Sequence, residues 1–195
     1  VYKRQEVSST IQDWDAICHV QADASYDDFE SIINSAKSSF EKYNWGVYAP
    51  NVDDTFYISD RTDIRELEDG LTLVATPDNT CWFIHKDMIE ELNKNLFLMD
   101  RNVLGWGWDL LICAFSHLAK RKVIRDYNYT VDHPPSTGYK KNQAESEMQY
   151  MFERCPNNIK EVIYYIKTQP RSLYMYHRDD GNDVLVYDTT VGAIL

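Results

Sequence analysis

Two helical segments in this chain each lead, with at most one residue between, into a stretch that reads as a strand. The first is DDFESIINSAKSSFEKY, residues 27–43, followed by WGVYAPN, 45–51. The second covers 108–122 and leads into VIRDYNYTVDHP, 123–134. In the first, Phe29, Ile32, Ile33, Ala36 and Phe40 recur at helical spacing. Ser25 is a candidate N-cap there, with Asp27 and Asp28 at the positive end of the first turn. In the second, Leu110, Leu111, Cys113, Ala114, Leu118 and Ala119 are apolar, and the KRK run at 120–122 suits a helix C-terminus. Strands alternating with helices predict an α/β layer fold.

The remaining segments fill in that pattern. AICHVQA, 16–22, reads as a buried strand with Asp23 at its carboxyl end. Residues 53–70 are acidic and turn-rich, LTLVATP, 71–77, alternates and then breaks, and CWFIH, 81–85, reads as a strand. A short helix is expected over 86–95, and 96–107 has no clear period. PPSTGY, 134–139, is a rigid turn. Helices are expected over 142–155 and 159–167, and the acidic turn 179–183 suggests a hairpin. No internal repeat is visible.

Bulk properties bound the function. The chain has 195 residues, 44% of them hydrophobic, which suits one domain or one plus a partial second. A formal net charge of −11 argues against a nucleic-acid partner, because a fold that grips phosphates normally shows a basic face. The cysteines Cys18, Cys81, Cys113 and Cys155 form no C-x-x-C pair and are expected to be mostly reduced, buried thiols. The longest apolar run falls far short of the ~20 residues needed to span a bilayer. With no signal peptide visible, a cytoplasmic location is expected. VYKRQ lacks an initiator methionine and reads as a truncated or foreign start.

Three polar residues follow short apolar segments. Asp23 and His133 lie at the carboxyl ends of strands, where open α/β sheets collect ligands, and Asp109 lies at a helix start. Asp23 is open to two readings, a ligand for a divalent ion or the cap of the next helix. His133 is either a metal ligand or a turn and packing residue beside Pro134. Asp109 follows two glycines and two tryptophans in LGWGWD. The glycines allow close backbone approach, the indoles offer flat faces for a sugar, and burial would raise the carboxyl toward general-base chemistry. The other reading of Asp109 is an N-cap with tryptophans in the core. Asn128-Tyr129-Thr130 matches a glycosylation acceptor but is discounted without a secretion signal.

The order of segments resembles nucleotide-sugar-dependent glycosyltransferases of the GT-A fold, close to the inverting family 2 type. The matching pieces are HVQADASYDDFESII (19–33), WGVYAPN (45–51), TCWFIHKDMIEEL (80–92), LGWGWDLLICAFSHLAKRKVIRD (104–126) and YTVDHPPSTGY (129–139). The resemblance implies a partial GT-A, Rossmann-like mixed sheet flanked by helices over 1–139, the back two-thirds of the catalytic domain. Residues 140–195 would be a helical and hairpin extension, a lid on the acceptor side or the start of a second domain. It implies that Asp23 is the last aspartate of an Asp-x-Asp metal motif and that His133 completes the metal site with Mn²⁺ or Mg²⁺. It further implies that Asp109 is the base for a glycan or other hydroxyl acceptor. Gln21, Asp23, Trp106, Gly107 and Trp108 would line the donor and acceptor pockets. Gln21 departs from the motif, since an aspartate is expected at that position.

The chemistry suits these roles. Glycosyl transfer needs a base for the nucleophile and positive charge at the departing diphosphate, and a closed apolar site excludes water. Two other classes stand beside it. One is a carbohydrate-binding or interaction module derived from such an enzyme. The other is a metal-dependent phosphate-ester hydrolase, which needs more clustered carboxylates and histidines.

Overall fold

The computed structural model describes residues 14–134 and 140–177. Six strands form one open mixed sheet: β1 (Ala16–Val20), β2 (Trp45–Val52), β3 (Asp63–Glu66), β4 (Leu71–Val74), β5 (Cys81–His85) and β6 (Lys122–Val131), in the order β1-β5-β2-β6-β4-β3. Among the described residues, only β2 and β6 pair parallel, and the other strand pairings are antiparallel. The helices are α1 (Phe29–Tyr43), the single turn α2 (Ser59–Thr62), α3 (Lys86–Lys94), α4 (Trp108–Leu118), α5 (Lys141–Arg154) and α6 (Asn157–Thr168). Short 3-10 turns cover Leu96–Met99 and Pro170–His177. The architecture is a mixed α/β fold of generic Rossmann-like type, with helices on both faces of the sheet.

Alternation along the strands divides the core in two. Tyr48, Phe83 and Ile124 face α1 and pack with Ile32 and Ala36. Val47, Trp82, Ile84 and Val123 face α4. Trp45 joins the α1 side although it lies three residues from Tyr48, because the register with β6 shifts between Trp45 and Val47. Gly46 sits at this irregularity, where a Cβ would collide with the Ser116 hydroxyl.

Helix α4 is buried from Trp108 through His117, as expected of a helix lying between a sheet and further helices. Helices α5 and α6 close its outer side with Met151, Ile159, Val162, Ile163 and Ile166, so residues 141–168 share one core with the sheet. His117 lies fully buried in α4 with Nε2 at 2.8 Å from the Ala75 carbonyl, and burial lowers its pKa to about 4.

Several boundaries differ from the expected ones. Helix α1 begins at Phe29, and its N-cap is Asp28, which accepts from the Ser31 backbone N–H at 3.1 Å. Ser25 is engaged elsewhere, in an antiparallel bridge to Asp132. Helix α4 stops at Leu118, because Lys120 adopts a φ of 56° and the chain turns directly into β6. The acidic tract 53–70 holds α2 and the edge strand β3, whose DIRE sequence lacks the apolar alternation of a half-buried strand. Cys81, Cys113 and Cys155 are buried free thiols as expected, whereas Cys18 is exposed on the edge strand β1. The candidate hairpin at 179–183 and most of the 134–139 turn lie outside the described residues.

Candidate functional site

The turn after β1 carries Asp23. The Gln21 backbone N–H donates to the Thr80 carbonyl at 2.8 Å, and the Ala24 N–H folds back onto the Gln21 carbonyl at 3.1 Å. The two hydrogen bonds between Ser25 and Asp132, each 3.0 Å, then tie this turn to the end of β6. His133 follows immediately. Its Nε2 lies 3.6 Å from Asp23 Oδ1, and its backbone N–H donates to Asp53 Oδ1 at 2.7 Å. Asp23 therefore does not cap the next helix, since Asp28 has that role. Two candidates far apart in the sequence, Asp23 and His133, meet here.

Gln21 is a neutral amide engaged with the neighbouring loop. Its side-chain amide donates to Asn79 Oδ1 at 3.1 Å and so fastens the β1 turn to the loop before β5. That loop is ordered by Asp78, whose Oδ1 accepts from the Thr80 backbone N–H at 2.9 Å and the Thr80 hydroxyl at 2.7 Å. This is the local turn-forming habit of aspartate. Asp78 Oδ2 accepts from the Thr55 hydroxyl at 2.6 Å, and Thr55 Oγ1 in turn accepts from the Tyr57 backbone N–H at 3.0 Å. Tyr57 then donates its hydroxyl to Asp109 Oδ2 at 2.6 Å. A continuous run of polar contacts thus leads from the Gln21 turn to Asp109.

Asp109 is buried, with 5% of its surface exposed. It is not the N-cap of α4. That position is Gly107 in the left-handed region, at φ 82°, and Asp109 occupies the first turn with its carboxyl near its own and Leu110's backbone N–H. Burial raises its pKa above the usual carboxylate range, and the Tyr57 hydroxyl opposes that shift. Burial and the neighbouring carboxylate push Tyr57 up, so its hydroxyl stays protonated and acts as the donor.

The tryptophans of the LGWGWD loop divide. Trp108 is buried and packs edge-to-face on Trp82, ring centroids 5.0 Å apart, and on His19 at 6.0 Å. It is a core residue in this structure. Trp106 is half-buried, and its carbonyl accepts from Asn102 Nδ2 at 2.7 Å. At Gly107 a Cβ would sit 2.6 Å from Met148 Cγ and 2.8 Å from Phe152 Cζ, so this glycine admits α5. Gly105, at φ 77°, has nothing within 4 Å of the corresponding point. Glu147 of α5 accepts from the Leu104 N–H at 2.9 Å, which fixes the same loop from outside.

Asp23 and His133 offer one carboxylate and one imidazole, a donor pair that suits a cation such as manganese. Among the described residues, no group of three or more His, Cys, Asp and Glu side chains is arranged to hold a metal. The pair fits an ion that takes its other ligands from water or from the oxygens of a bound phosphate. Tyr57, Asp78, Thr55 and Asp53 complete the arrangement and carry no sequence motif. Asp78 alone had a signal, the turn-forming Pro-Asp-Asn-Thr run at 77–80.

No family model, no curated protein and no solved structure matches this chain. Among the described residues, no helix is long and apolar enough to cross a membrane.

Proposed function

We propose that this chain carries the acceptor-side and metal-side portions of a GT-A-type, family 2-like glycosyltransferase site. The reaction moves a sugar from a nucleotide-diphosphate donor to an acceptor hydroxyl, with inversion. The observation that carries the reading is the meeting of Asp23 and His133 at 3.6 Å beside a polar path that ends on the buried Asp109.

Asp109 acts as general base. Its raised proton affinity matches the task of taking a proton from a hydroxyl as that oxygen attacks the anomeric carbon. The proton passes to the Asp109 carboxylate, and the bond from the anomeric carbon to the diphosphate breaks on the opposite face. Asp23 and His133 would hold a divalent cation, Mn²⁺ or Mg²⁺. Such an ion supplies positive charge to the departing diphosphate. Trp106, half-buried in the loop before α4, would line the sugar pocket, while Gly107 lets α5 close on that loop.

A second reading is sugar binding without turnover. It is favoured by Gln21, which stands where an aspartate of the metal motif is expected and is committed to Asn79. One experiment separates the two. The chain is screened for hydrolysis and transfer with a panel of UDP- and GDP-sugars and Mn²⁺ or Mg²⁺, beside Asp109→Asn. Transfer that disappears in the variant while donor binding persists supports the transferase. Binding with no turnover in either supports the binding module.

A further inference from the structure

The polar path to Asp109 ends on one group, the Tyr57 hydroxyl, and the sequence offered no reason to notice it. Tyr57 lies in the turn before α2, between the exposed Phe56 and Ile58, while its own ring is half-buried. Its backbone N–H is held by Thr55 Oγ1, and Thr55 is held in turn by Asp78. The tyrosine is thus fixed at both ends, by its main chain and by its hydroxyl at 2.6 Å from Asp109 Oδ2.

We infer that Tyr57 is the positioning residue for Asp109: it holds one carboxylate oxygen in a fixed direction and favours the ionised form that accepts the acceptor's proton. The inference rests on the reading of Asp109 as general base. A buried carboxylate without a donor takes up a proton rather than stay charged. A protonated Asp109 has no vacancy for the acceptor's proton. A short hydrogen bond from a neutral phenol restores the anion without the permanent charge of lysine or arginine, which would depress basicity further.

Other groups near Asp109 act in different directions. Asp78, on the loop before β5, is a negative charge that raises its proton affinity. Cys113, one turn along α4, sits with Sγ at 3.6 Å from Thr76 Oγ1, and burial together with Asp109 keeps it a neutral thiol. Helix α6 presents Ile159, Val162, Ile163 and Ile166 to the core behind α4. The backbone N–H groups of Asp109 and Leu110 favour the anion alongside Tyr57.

The test is Tyr57→Phe, which keeps the ring and deletes the donor. The carboxyl carbon of Asp109 is followed by ¹³C NMR through a pH titration in the wild-type chain and in the variant, with Asp109→Asn to assign the signal. The expected result is an upward move of the Asp109 midpoint by about one pH unit. The acid limb of kcat/KM, measured with whichever panel donor is turned over, should move up by the same amount while KM for that donor stays put. A Tyr57→Phe chain that is folded by circular dichroism and shows an unmoved Asp109 midpoint overturns the inference. So does a moved midpoint with an unmoved acid limb. Turnover that survives Asp109→Asn defeats the base assignment instead, independently of the titration.

Discussion

Asp23 Oδ1 and His133 Nε2 stand 3.6 Å apart, joined through the bridge between Ser25 and Asp132. The contact spans the β1-β5-β2-β6 part of the sheet, because the turn after β1 is anchored on the loop before β5 while His133 follows β6. Such a pair attracts a divalent cation more strongly when phosphate oxygens complete the shell. Mn²⁺ added with UDP should therefore broaden the imidazole resonances of His133 at lower concentration than Mn²⁺ alone. Asp23→Asn should weaken that effect by about tenfold or more. Broadening that ignores both UDP and the substitution would remove the pair from the metal-binding reading.

Asp109→Asn separates activity from stability. Turnover should fall by roughly 10²–10⁴-fold, the usual worth of a positioned base. Stability at neutral pH should rise, since an amide is buried more cheaply than a carboxylate and can still accept from Tyr57. The folded pKa of Asp109 is raised, so the folded protein holds a proton that the unfolded chain releases. The wild-type penalty is thus full above the folded pKa and fades as the pH falls toward the ordinary value of 3.8. Thermal melts of both proteins between pH 8 and pH 4 would show the gap closing. A constant gap, or a less stable variant at pH 8, contradicts this account.

Gly107 and Gly105 both have positive φ, at 82° and 77°, but their surroundings differ. Gly107→Ala adds a methyl that meets Met148 and Phe152, so strain and overpacking combine to cost on the order of 3 kcal/mol. Gly105→Ala meets only the backbone term, about 1 kcal/mol. Urea unfolding of the two variants should rank them in that order. Equal losses would mean that α5 does not press on the loop as described.

His117 provides a pH dependence of opposite sense to Asp109. Its folded pKa is lowered from 6.5 to about 4 by full burial, so the unfolded chain binds the proton more readily. The stability tied to the neutral ring is complete above pH 6.5 and is lost as the pH falls to about 4, a change on the order of 3 kcal/mol. His85, whose pKa burial also lowers, adds to the same slope. His117→Gln keeps a donor for the Ala75 carbonyl and should flatten the slope between those pH values. Denaturant midpoints across the window, wild type against variant, measure it. Parallel slopes would show that His117 is not the group responsible.

How much of this was readable in the sequence depended on the range of the forces involved. Helices α1 and α4 were legible because their apolar spacing is a local signal, and the strands β2, β5 and β6 because they are apolar runs beside turn residues. Strand β3 was not, since an edge strand of four residues has one partner and little surface to bury. Asp23, Asp109 and His133 stood out by their places at element ends. The meeting of Asp23 and His133 depends on the Ser25 to Asp132 bridge, a contact between distant segments that leaves no periodicity. Trp108 illustrates the converse. Its neighbours in sequence suggested a sugar platform, but which side of a ring is covered is decided by Trp82 and His19 on other strands. Tyr57 escaped for the same reason, in a tract whose composition announced only turns.

The strand order also bears on how the chain is made. The first two strands are not hydrogen-bonded to each other, because β5 lies between them, and β2 waits further for β6 on its other side. As the chain leaves the ribosome, each early strand emerges with its bonding edges open and its partners still unsynthesised. Helix α1 can cover one face of β2 in the meantime, but neither edge. The span between residues 45 and 131 is therefore the interval in which a chaperone has most to protect.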